Sequence, residues 1–314
     1  MRLYVAVFLL FGVPMILWTM FCFRWNIYAL IIFLVGRAHG CPLSVALVTI
    51  GRAKSHDRNR DLIEAKSFSV TTDDSFDLWQ TPAGQYWCPP GPNSLGPLAD
   101  ELAEQGDGIY GGERYGVRHS NVVIDCGASV GVFTKEALDR GASRVIAVEP
   151  SPQNARCLRR NLQNEIAAGK VIVYEKGMWH KDDVLPMRTG DSPAADTFVL
   201  VNESQRGEVL LPLTTIDRMV EELGLDAVDF IKMDIEGAEQ NALRGATRTI
   251  TRFRPRLAVS AYHLKTDPDQ IPSIIKSIDP HYKLKCESCR YIFHGYLHSE
   301  FRPLVYLLMP SAGN

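Results

Sequence analysis

The sequence predicts an α/β fold in which a doubly wound, mostly parallel sheet follows an N-terminal membrane anchor. Three observations predict it: an uncharged apolar run near the start, short β-branched runs alternating with helical stretches from residue 121, and glycines directly after the first such run. Strands and helices that alternate through right-handed crossovers form an open sheet covered on both faces. We therefore divide the chain into an anchor (1–36), a linker and lid-like prelude (37–120) and a ligand-binding domain (121–314).

Composition and charge narrow the class of partner. The 314 residues are 46% hydrophobic and 22% charged, and the formal net charge is -2. Without an excess of positive charge the chain lacks the electrostatic basis for binding a phosphate backbone, so nucleic acid is not an expected partner. The seven cysteines are odd in number and scattered, which predicts no disulfide framework and favours a reducing compartment.

The N-terminus is strongly apolar. No charged residue occurs from Leu3 to Phe23, and a second apolar run at 27–35 follows Arg24. A membrane-spanning helix needs about 20 apolar residues, whereas a signal-peptide core has only about 7–15. We therefore expect a retained anchor, with one span or a hairpin. Basic residues from Arg37 onward predict that the C-terminal bulk lies in the cytoplasm.

The segment 51–115 is polar and rich in proline and glycine. Such residues interrupt long periodic elements, so the pattern predicts a linker with a lid-like part. Three aromatic residues lie among these prolines and glycines: Trp79, Tyr86 and Trp87. Their rings are expected either to wall a pocket or, as is commoner for buried aromatics, to pack the prelude onto the main domain.

Near-continuous apolar runs of strand length are typical of parallel strands buried on both faces. They occur at 122–125, 144–148, 170–174, 228–233 and 256–260. Between them, Ser151 followed by Pro152 predicts one helix start, and Thr215 and Gly224 predict the start and end of another. After Pro280, runs at 282–284, 291–293 and 305–309 predict a closing antiparallel pair.

The turn after the first strand carries the ligand-binding signal. It reads DCGASVG and includes Asp125, Gly127, Ala128 and Gly131. Ligands of open parallel sheets bind at the carboxyl ends of strands where the winding reverses, and glycines let a ligand approach the backbone. The spacing is not the Gly-x-Gly-x-x-Gly of pyrophosphate binding. It suits a ligand with a carboxylate and no pyrophosphate, such as S-adenosylmethionine.

Two later strand ends complete the predicted cofactor site. Glu149 ends the second strand about 20 residues after the glycine turn, where an acidic group can accept both hydroxyls of a ribose. Alone, such a glutamate is equally typical of a helix cap or an ion pair. Trp179, after the third strand, is expected either to stack on the adenine or simply to pack.

With these motifs the chain resembles the FkbM-type methyltransferases. The resemblance covers residues 121–309 and is carried by the glycine turn, Glu149-Pro150, the segment IKMDIEGAE ending at Glu239, and Tyr262-His263. It implies a class I, Rossmann-like fold with seven strands. It also implies S-adenosylmethionine-dependent methylation of a hydroxyl on a sugar, glycolipid or polyketide-like acceptor. Cys126 and Ser129 depart from the usual turn, and the N-terminal extension leaves the acceptor open.

Methylation of a hydroxyl requires alignment with the sulfonium and a general base. Histidine titrates nearest neutral pH, so His263 is the first choice for the base and Asp234 for positioning the acceptor. Lys232 shares a strand face with Asp234. It is expected to pair with Asp234 or Glu236, or else to act as a base with a lowered pKa. Glu236 is a further site candidate, and Glu239 fits a helix start.

Cys286 and Cys289 have the two-residue gap of a zinc knuckle, but a structural zinc site normally needs four ligands. With one such pair in the sequence, two free thiols are the favoured state and no metal is predicted. The anchor suggests a small-molecule or lipid-linked hydroxyl acceptor. Two alternatives stay open: a nucleotide-cofactor oxidoreductase, and a catalytically silent membrane-anchored binding module on the same fold. The segment 180–207 is either a cover for the acceptor or a surface loop.

Overall fold

The computed structural model describes residues 27–73, 76–91, 94–188, 197–198, 208–294 and 298–311. A seven-stranded sheet forms its centre. Its strands are β4 (Val122–Cys126), β5 (Arg144–Val148), β6 (Val171–Tyr174), β11 (Phe230–Met233), β12 (Arg256–Ser260), β13 (Tyr282–Ile292) and β14 (Glu300–Pro310). Their order across the sheet is β13-β14-β12-β11-β4-β5-β6. β4, β5, β6, β11 and β12 are parallel, and β14 pairs antiparallel with both β12 and β13. The mostly parallel sheet with a closing antiparallel pair is confirmed.

The chain reverses its winding beside β4. It runs from β4 to β5 and β6 on one side and then resumes at β11 on the other. The carboxyl ends of β4 and β11 therefore meet at the middle of the sheet, where open α/β sheets bind ligands. Interior strand residues such as Ile124 and Ile231 are fully buried, as the near-continuous apolar runs predicted.

Helices cover both faces of this sheet. They are α3 (Gly112–Tyr115), α4 (Val132–Asp139), α5 (Pro152–Asn161), α6 (Gln163–Ala167), α7 (Ile216–Glu222), α8 (Glu239–Arg244), α9 (Thr247–Phe253) and α10 (Asp267–Ile278). Thr215 caps α7 as predicted, because its side chain accepts a hydrogen bond from the backbone N–H of Arg218 at 3.0 Å. Gly224 follows α7 with a φ of +59°.

The prelude is more ordered than its proline and glycine content predicted. It forms a 24-residue helix, α1 (Leu43–Lys66), then β1 (Phe68–Asp73), β2 (Phe76–Thr81) and β3 (Gly84–Cys88), and then α2 (Leu95–Asp107). The three strands pair antiparallel in chain order. The long helix was missed because residues 51–66 are mostly exposed and lack an apolar stripe.

The predicted N-terminal transmembrane anchor is contradicted. Among the residues that the structure describes, none of the helices combines the length and apolar character needed to cross a bilayer. The apolar run from Leu3 to Phe23 lies outside the described residues. The second run is helical at 27–34, where Ala29 and Ile32 pack with Cys41 and Phe301 of the main body. The membrane location inferred from the anchor is contradicted with it.

A second, smaller sheet follows β6. It has the order β7-β10-β8-β9 and consists of β7 (Gly177–Met178), β8 (Asp183–Arg188), β9 (Thr197–Phe198) and β10 (Glu208–Thr214). The expected insertion at 180–207 falls in this region, and most of its second half lies outside the described residues.

The prediction of free thiols at both positions of the Cys286–Cys289 pair is wrong. Cys289 forms a disulfide with Cys41, and their Cα atoms are 6.3 Å apart. The two residues are separated by 248 positions, so no local spacing in the sequence could indicate the pairing. The bond joins the loop before α1 to β13.

Candidate active site

A cavity of about 1110 Å³ lies at the point where the winding reverses. The glycine turn after β4 and the tip of β11 form its floor, and α1 and α2 form its roof. Its wall includes the predicted site residues Gly127, Ala128, Glu149, Asp234 and Glu236. Tyr262, which precedes His263, also lies on this wall. Small-molecule sites commonly have volumes of about 300–1000 Å³, so this cavity has room for a cofactor and a second ligand.

The glycines of the turn are required by the protein's own packing. Gly127 has a φ of +80°, and a Cβ there would overlap the carbonyl oxygen of Asp234. Gly131 has a φ of +99°, and a Cβ there would lie 2.7 Å from Leu158 Cδ1. Side chains larger than hydrogen would therefore push β4 away from β11 and α4 away from α5.

Backbone N–H groups of the turn already form hydrogen bonds within the protein. Gly127 and Ala128 both donate to the carbonyl of Val148 at 3.0 Å, and Ser129 donates to the Glu149 carboxylate at 2.8 Å. The N–H groups of these three residues are therefore not free to bind the carboxylate of a ligand.

Glu149 links the ends of β4 and β5. One carboxylate oxygen accepts the Ser129 N–H, and the other accepts the Ser151 N–H at 2.8 Å. Each oxygen keeps a lone pair for a further donor. Burial raises the pKa of Glu149 to about 7, against the lowering by these two hydrogen bonds. Glu149 thus lies on the cavity wall as a preorganised acceptor of hydrogen bonds.

Lys232 pairs with Asp125, not with the predicted Asp234 or Glu236. Its Nζ lies 3.2 Å from Asp125 Oδ1 and donates to the carbonyl of Gly127 at 2.6 Å. The two side chains are only 6% and 0% exposed. Burial alone would lower the pKa of Lys232, but the charges of Asp125 and Asp234 raise it above its usual range. Lys232 is therefore protonated and cannot serve as a base.

His263 lies among three carboxylates. Its Nδ1 is 2.9 Å from Glu239 Oε1, and its Nε2 is 3.5 Å from Asp234 Oδ1 and 3.6 Å from Glu236 Oε2. Burial works against the charged ring, but these acidic neighbours raise the pKa of His263 to about 9. The imidazole is therefore protonated at neutral pH.

The two carboxylates on the cavity side of His263 differ in environment. Burial opposes ionisation of Asp234, yet the nearby charges of Lys232 and His263 hold its pKa below the usual value. Burial raises the pKa of Glu236 to about 7. The Glu236 side chain is 40% exposed and that of Asp234 is 18% exposed, so Glu236 is the more accessible group. Glu236 also has a φ of +53°, which turns the chain at the tip of β11.

The prelude supplies site residues that the motifs did not reveal. The Tyr110 hydroxyl donates to Asp234 Oδ2 at 2.5 Å. Glu101 and Glu104 of α2 lie on the cavity wall, and burial raises their pKa values to about 7 and about 8. Their three-residue spacing places them on one helix face, but no feature of the sequence indicates that this face covers the sheet.

Three predicted cofactor residues do not line the cavity. Asp125 is fully buried and accepts a hydrogen bond from Thr134 at 2.7 Å, so it orders the turn. Gly131 faces Leu158 of α5. Trp179 packs in the core with Met178, and its backbone N–H donates to the Thr214 carbonyl. The packing interpretation thus accounts for Trp179.

The fold and the site define an α/β protein with a cofactor-sized cavity at the switch point of its sheet. The model of the methyltransferase FkbM domain matches residues 125–293, which is more than half of the chain. The chain belongs to the FkbM methyltransferase family. The sequence resemblance is confirmed, and membership of this family supports the prediction of a methyltransferase.

Several solved structures that are described as methyltransferases are similar to this chain. The methyltransferase FkbM from Methylobacillus flagellatus is 28% identical, with a TM-score of 0.44, over 60% of this chain and 43% of that one. Precorrin-6y C5,15-methyltransferase from Geobacter metallireducens is 15% identical, with a TM-score of 0.36, over 69% and 87%. SMU.1697c from Streptococcus mutans, in complex with SAH, is 13% identical, with a TM-score of 0.37, over 66% and 94%. No curated protein matched the sequence. Because these TM-scores are below 0.5, the family assignment rests on the sequence model.

Proposed function

We propose that the protein is an S-adenosylmethionine-dependent O-methyltransferase for a small-molecule hydroxyl acceptor. The observation that carries this proposal is one continuous cavity. It joins Glu149 at the end of β5 to Asp234 and Glu236 at the end of β11. Such a cavity can hold the ribose of a cofactor at one end and a reacting hydroxyl at the other.

The charge of the cavity supports a cationic cofactor. Glu101, Glu104, Glu149, Asp234 and Glu236 bring five carboxyl groups to the wall around the glycine turn and the tip of β11. The charge of Lys232 is balanced by Asp125. Asp234 is ionised at neutral pH, and Glu101, Glu149 and Glu236 are ionised in part. A sulfonium is attracted by this negative charge, whereas the pyrophosphate of a dinucleotide is repelled. The second oxygen lone pairs of Glu149 are available to ribose hydroxyls.

Methyl transfer requires the acceptor oxygen to lie in line with the sulfonium and then to lose a proton. Because His263 is protonated, we assign the base to Glu236 and not to the imidazole. Glu236 is ionised in part at neutral pH, and it is the most exposed carboxylate around His263. In this scheme the acceptor proton passes to a carboxylate oxygen of Glu236. Asp234, held by Tyr110, accepts a hydrogen bond that orients the acceptor.

Calorimetric titration with S-adenosylhomocysteine tests the cofactor assignment. Glu149→Gln should weaken binding by about 1–3 kcal/mol, because a hydrogen-bonded charged acceptor is lost. Glu175→Gln is the matched control, because Glu175 follows the neighbouring strand β6 and is 48% exposed in a surface pair with Arg159. Equal binding by all three folded proteins would refute the role of Glu149. Absence of binding to the wild type would refute the cofactor.

Transfer of isotope-labelled methyl groups tests the acceptor class. Sugars, glycolipids and polyketide-like alcohols should be screened first, because they are the acceptors that the family resemblance implies. Tandem mass spectrometry of the product then shows whether the methyl group lies on oxygen. Transfer to nitrogen in amine analogues, with none to the alcohols, would contradict the O-methyl assignment while leaving the cofactor assignment intact.

A further inference from the structure

Three cysteine sulfurs, which the methyltransferase proposal does not use, meet at the wall of the cavity. Cys286 and Cys289 lie on β13, and Cys41 reaches them from the loop before α1. The Sγ atoms of Cys286 and Cys289 are 3.6 Å apart, and all three sulfurs lie within 4.8 Å of one another. The sequence shows one Cys-x-x-Cys pair, and the fold adds a third sulfur 245 or more residues away.

A bulge in β13 makes this grouping possible. Residues three apart on a regular strand point to opposite faces of the sheet. Between Cys286 and Cys289 the pairing register with β14 shifts, so the alternation is reset and both sulfurs point the same way. Arg52 of α1 donates to the carbonyl of Glu287 at 2.5 Å and so holds the bulge against the helix that follows Cys41.

The spacing matches a metal–thiolate site. Two thiolates bound tetrahedrally to one zinc ion at about 2.3 Å lie about 3.8 Å apart. The observed separation of 3.6 Å between Cys286 and Cys289 is close to that value. Cys41 and Cys289 are 3% and 9% exposed, and Cys286 is half-buried, so solvent has access from one side.

We propose that Cys41, Cys286 and Cys289 form a binding site for a thiophilic divalent ion such as Zn²⁺ once the Cys41–Cys289 disulfide is reduced. A dithiol reductant supplies two electrons and two protons and becomes a disulfide itself, which leaves three thiols in the protein. Binding of the ion then forms three metal–sulfur bonds and releases three protons. Among the described residues the group contains no fourth ligand, so a water molecule completes the tetrahedron.

Cobalt titration of the full-length protein tests the proposal. The protein is reduced with a dithiol, freed of reductant without air, and titrated with Co²⁺ while thiolate-to-metal absorption is recorded. One equivalent should bind to the reduced wild type, and Zn²⁺ should displace it. Cys286→Ser should weaken binding by more than the roughly 10–100-fold that loss of an outer-sphere partner causes. Cys157→Ser, at a buried free cysteine on α5, is the matched control and should bind like the wild type.

Circular dichroism shows whether reduction of the disulfide loosens the fold. Where reduction loosens the fold, one equivalent of Zn²⁺ should restore the wild-type spectrum and leave that of Cys286→Ser unchanged. Failure of the reduced wild type to bind cobalt or to regain structure with zinc would overturn the proposal, as would equal binding by Cys286→Ser. S-adenosylhomocysteine titration is a separate readout, so the metal site and the methyltransferase proposal can fail independently.

Discussion

Replacing Lys232 with methionine removes the positive charge that balances Asp125 inside the sheet. The Asp125 carboxylate is fully buried, and only Lys232 at 3.2 Å and Thr134 at 2.7 Å compensate it among the interactions of the described residues. Removing one partner of a buried pair costs about 3–5 kcal/mol, because the other charge is left uncompensated. Asp125 can instead take up a proton, which limits the loss of unfolding free energy to about 4 kcal/mol at neutral pH. This value is the free energy needed to protonate an ordinary aspartate at that pH.

The stability of the variant should therefore fall, relative to wild type, as the pH rises. In wild-type protein burial raises the pKa of Asp125, and Lys232 lowers it. Without Lys232 the folded-state pKa rises further above the unfolded value of about 3.9. A raised acid pKa makes the folded state the stronger proton binder, so stability is greatest at low pH and falls as the pH rises through this window. Urea unfolding followed by tryptophan fluorescence measures the free energy at each pH.

Lys232→Met/Asp125→Leu is the informative companion variant. Removing both charges should recover part of the loss, because an apolar pair carries no uncompensated charge. A loss below about 1 kcal/mol for Lys232→Met at neutral pH, or a stability that rises from pH 4 to pH 7 relative to wild type, would refute the buried ion pair. Either result would reopen the interpretation of Lys232 as a catalytic group.

Three further predictions concern the site and its support. Glu236→Gln should lower kcat by about 10²–10⁴-fold, as expected for loss of a general base, with S-adenosylhomocysteine affinity within about twofold; a kcat near wild type in steady-state assays would exclude Glu236. Because the pKa of Glu149 is about 7, S-adenosylhomocysteine affinity should increase about tenfold from pH 6 to pH 8, and calorimetry should find this dependence absent in Glu149→Gln. Gly127→Ala should lose about 2–5 kcal/mol in urea unfolding, since its Cβ would overlap the Asp234 carbonyl. Gly169→Ala, with a φ of +69° but open space around it, should lose only about 1–2 kcal/mol, and equal losses would contradict the overlap.

The sequence predicted the sheet and its switch point because those features depend on local patterns. Runs such as 228–233 consist mostly of apolar residues, and glycine turns have fixed spacing, so β11 and the turn after β4 could be located. Glu149 and Glu236 could be placed at strand ends for the same reason. The protonation of His263 could not be predicted, because it depends on three carboxylates brought together only by packing.

Features formed by residues distant in sequence were missed. The Asp125–Lys232 pair spans 107 positions and joins neighbouring strands, so the sequence offered Asp234 as the nearer partner. Tyr110 donates a hydrogen bond to Asp234 from the segment 51–115, which was predicted to be a linker because of its prolines and glycines. The disulfide joins a loop to a bulge, and neither has a sequence signal. In each case tertiary packing, and not local propensity, selects the partner.

The position of β14 has a consequence for how the protein folds. β14 follows β13 along the chain, yet it lies between β12 and β13 inside the sheet. A ribosome releases β14 after both of its partners, so one edge of β12 stays unpaired while the preceding residues are already available to fold. Exposed strand edges pair readily with other chains. The nascent protein therefore passes through a stage at which its risk of aggregation is concentrated at β12, and chaperone binding during synthesis is expected to be strongest there.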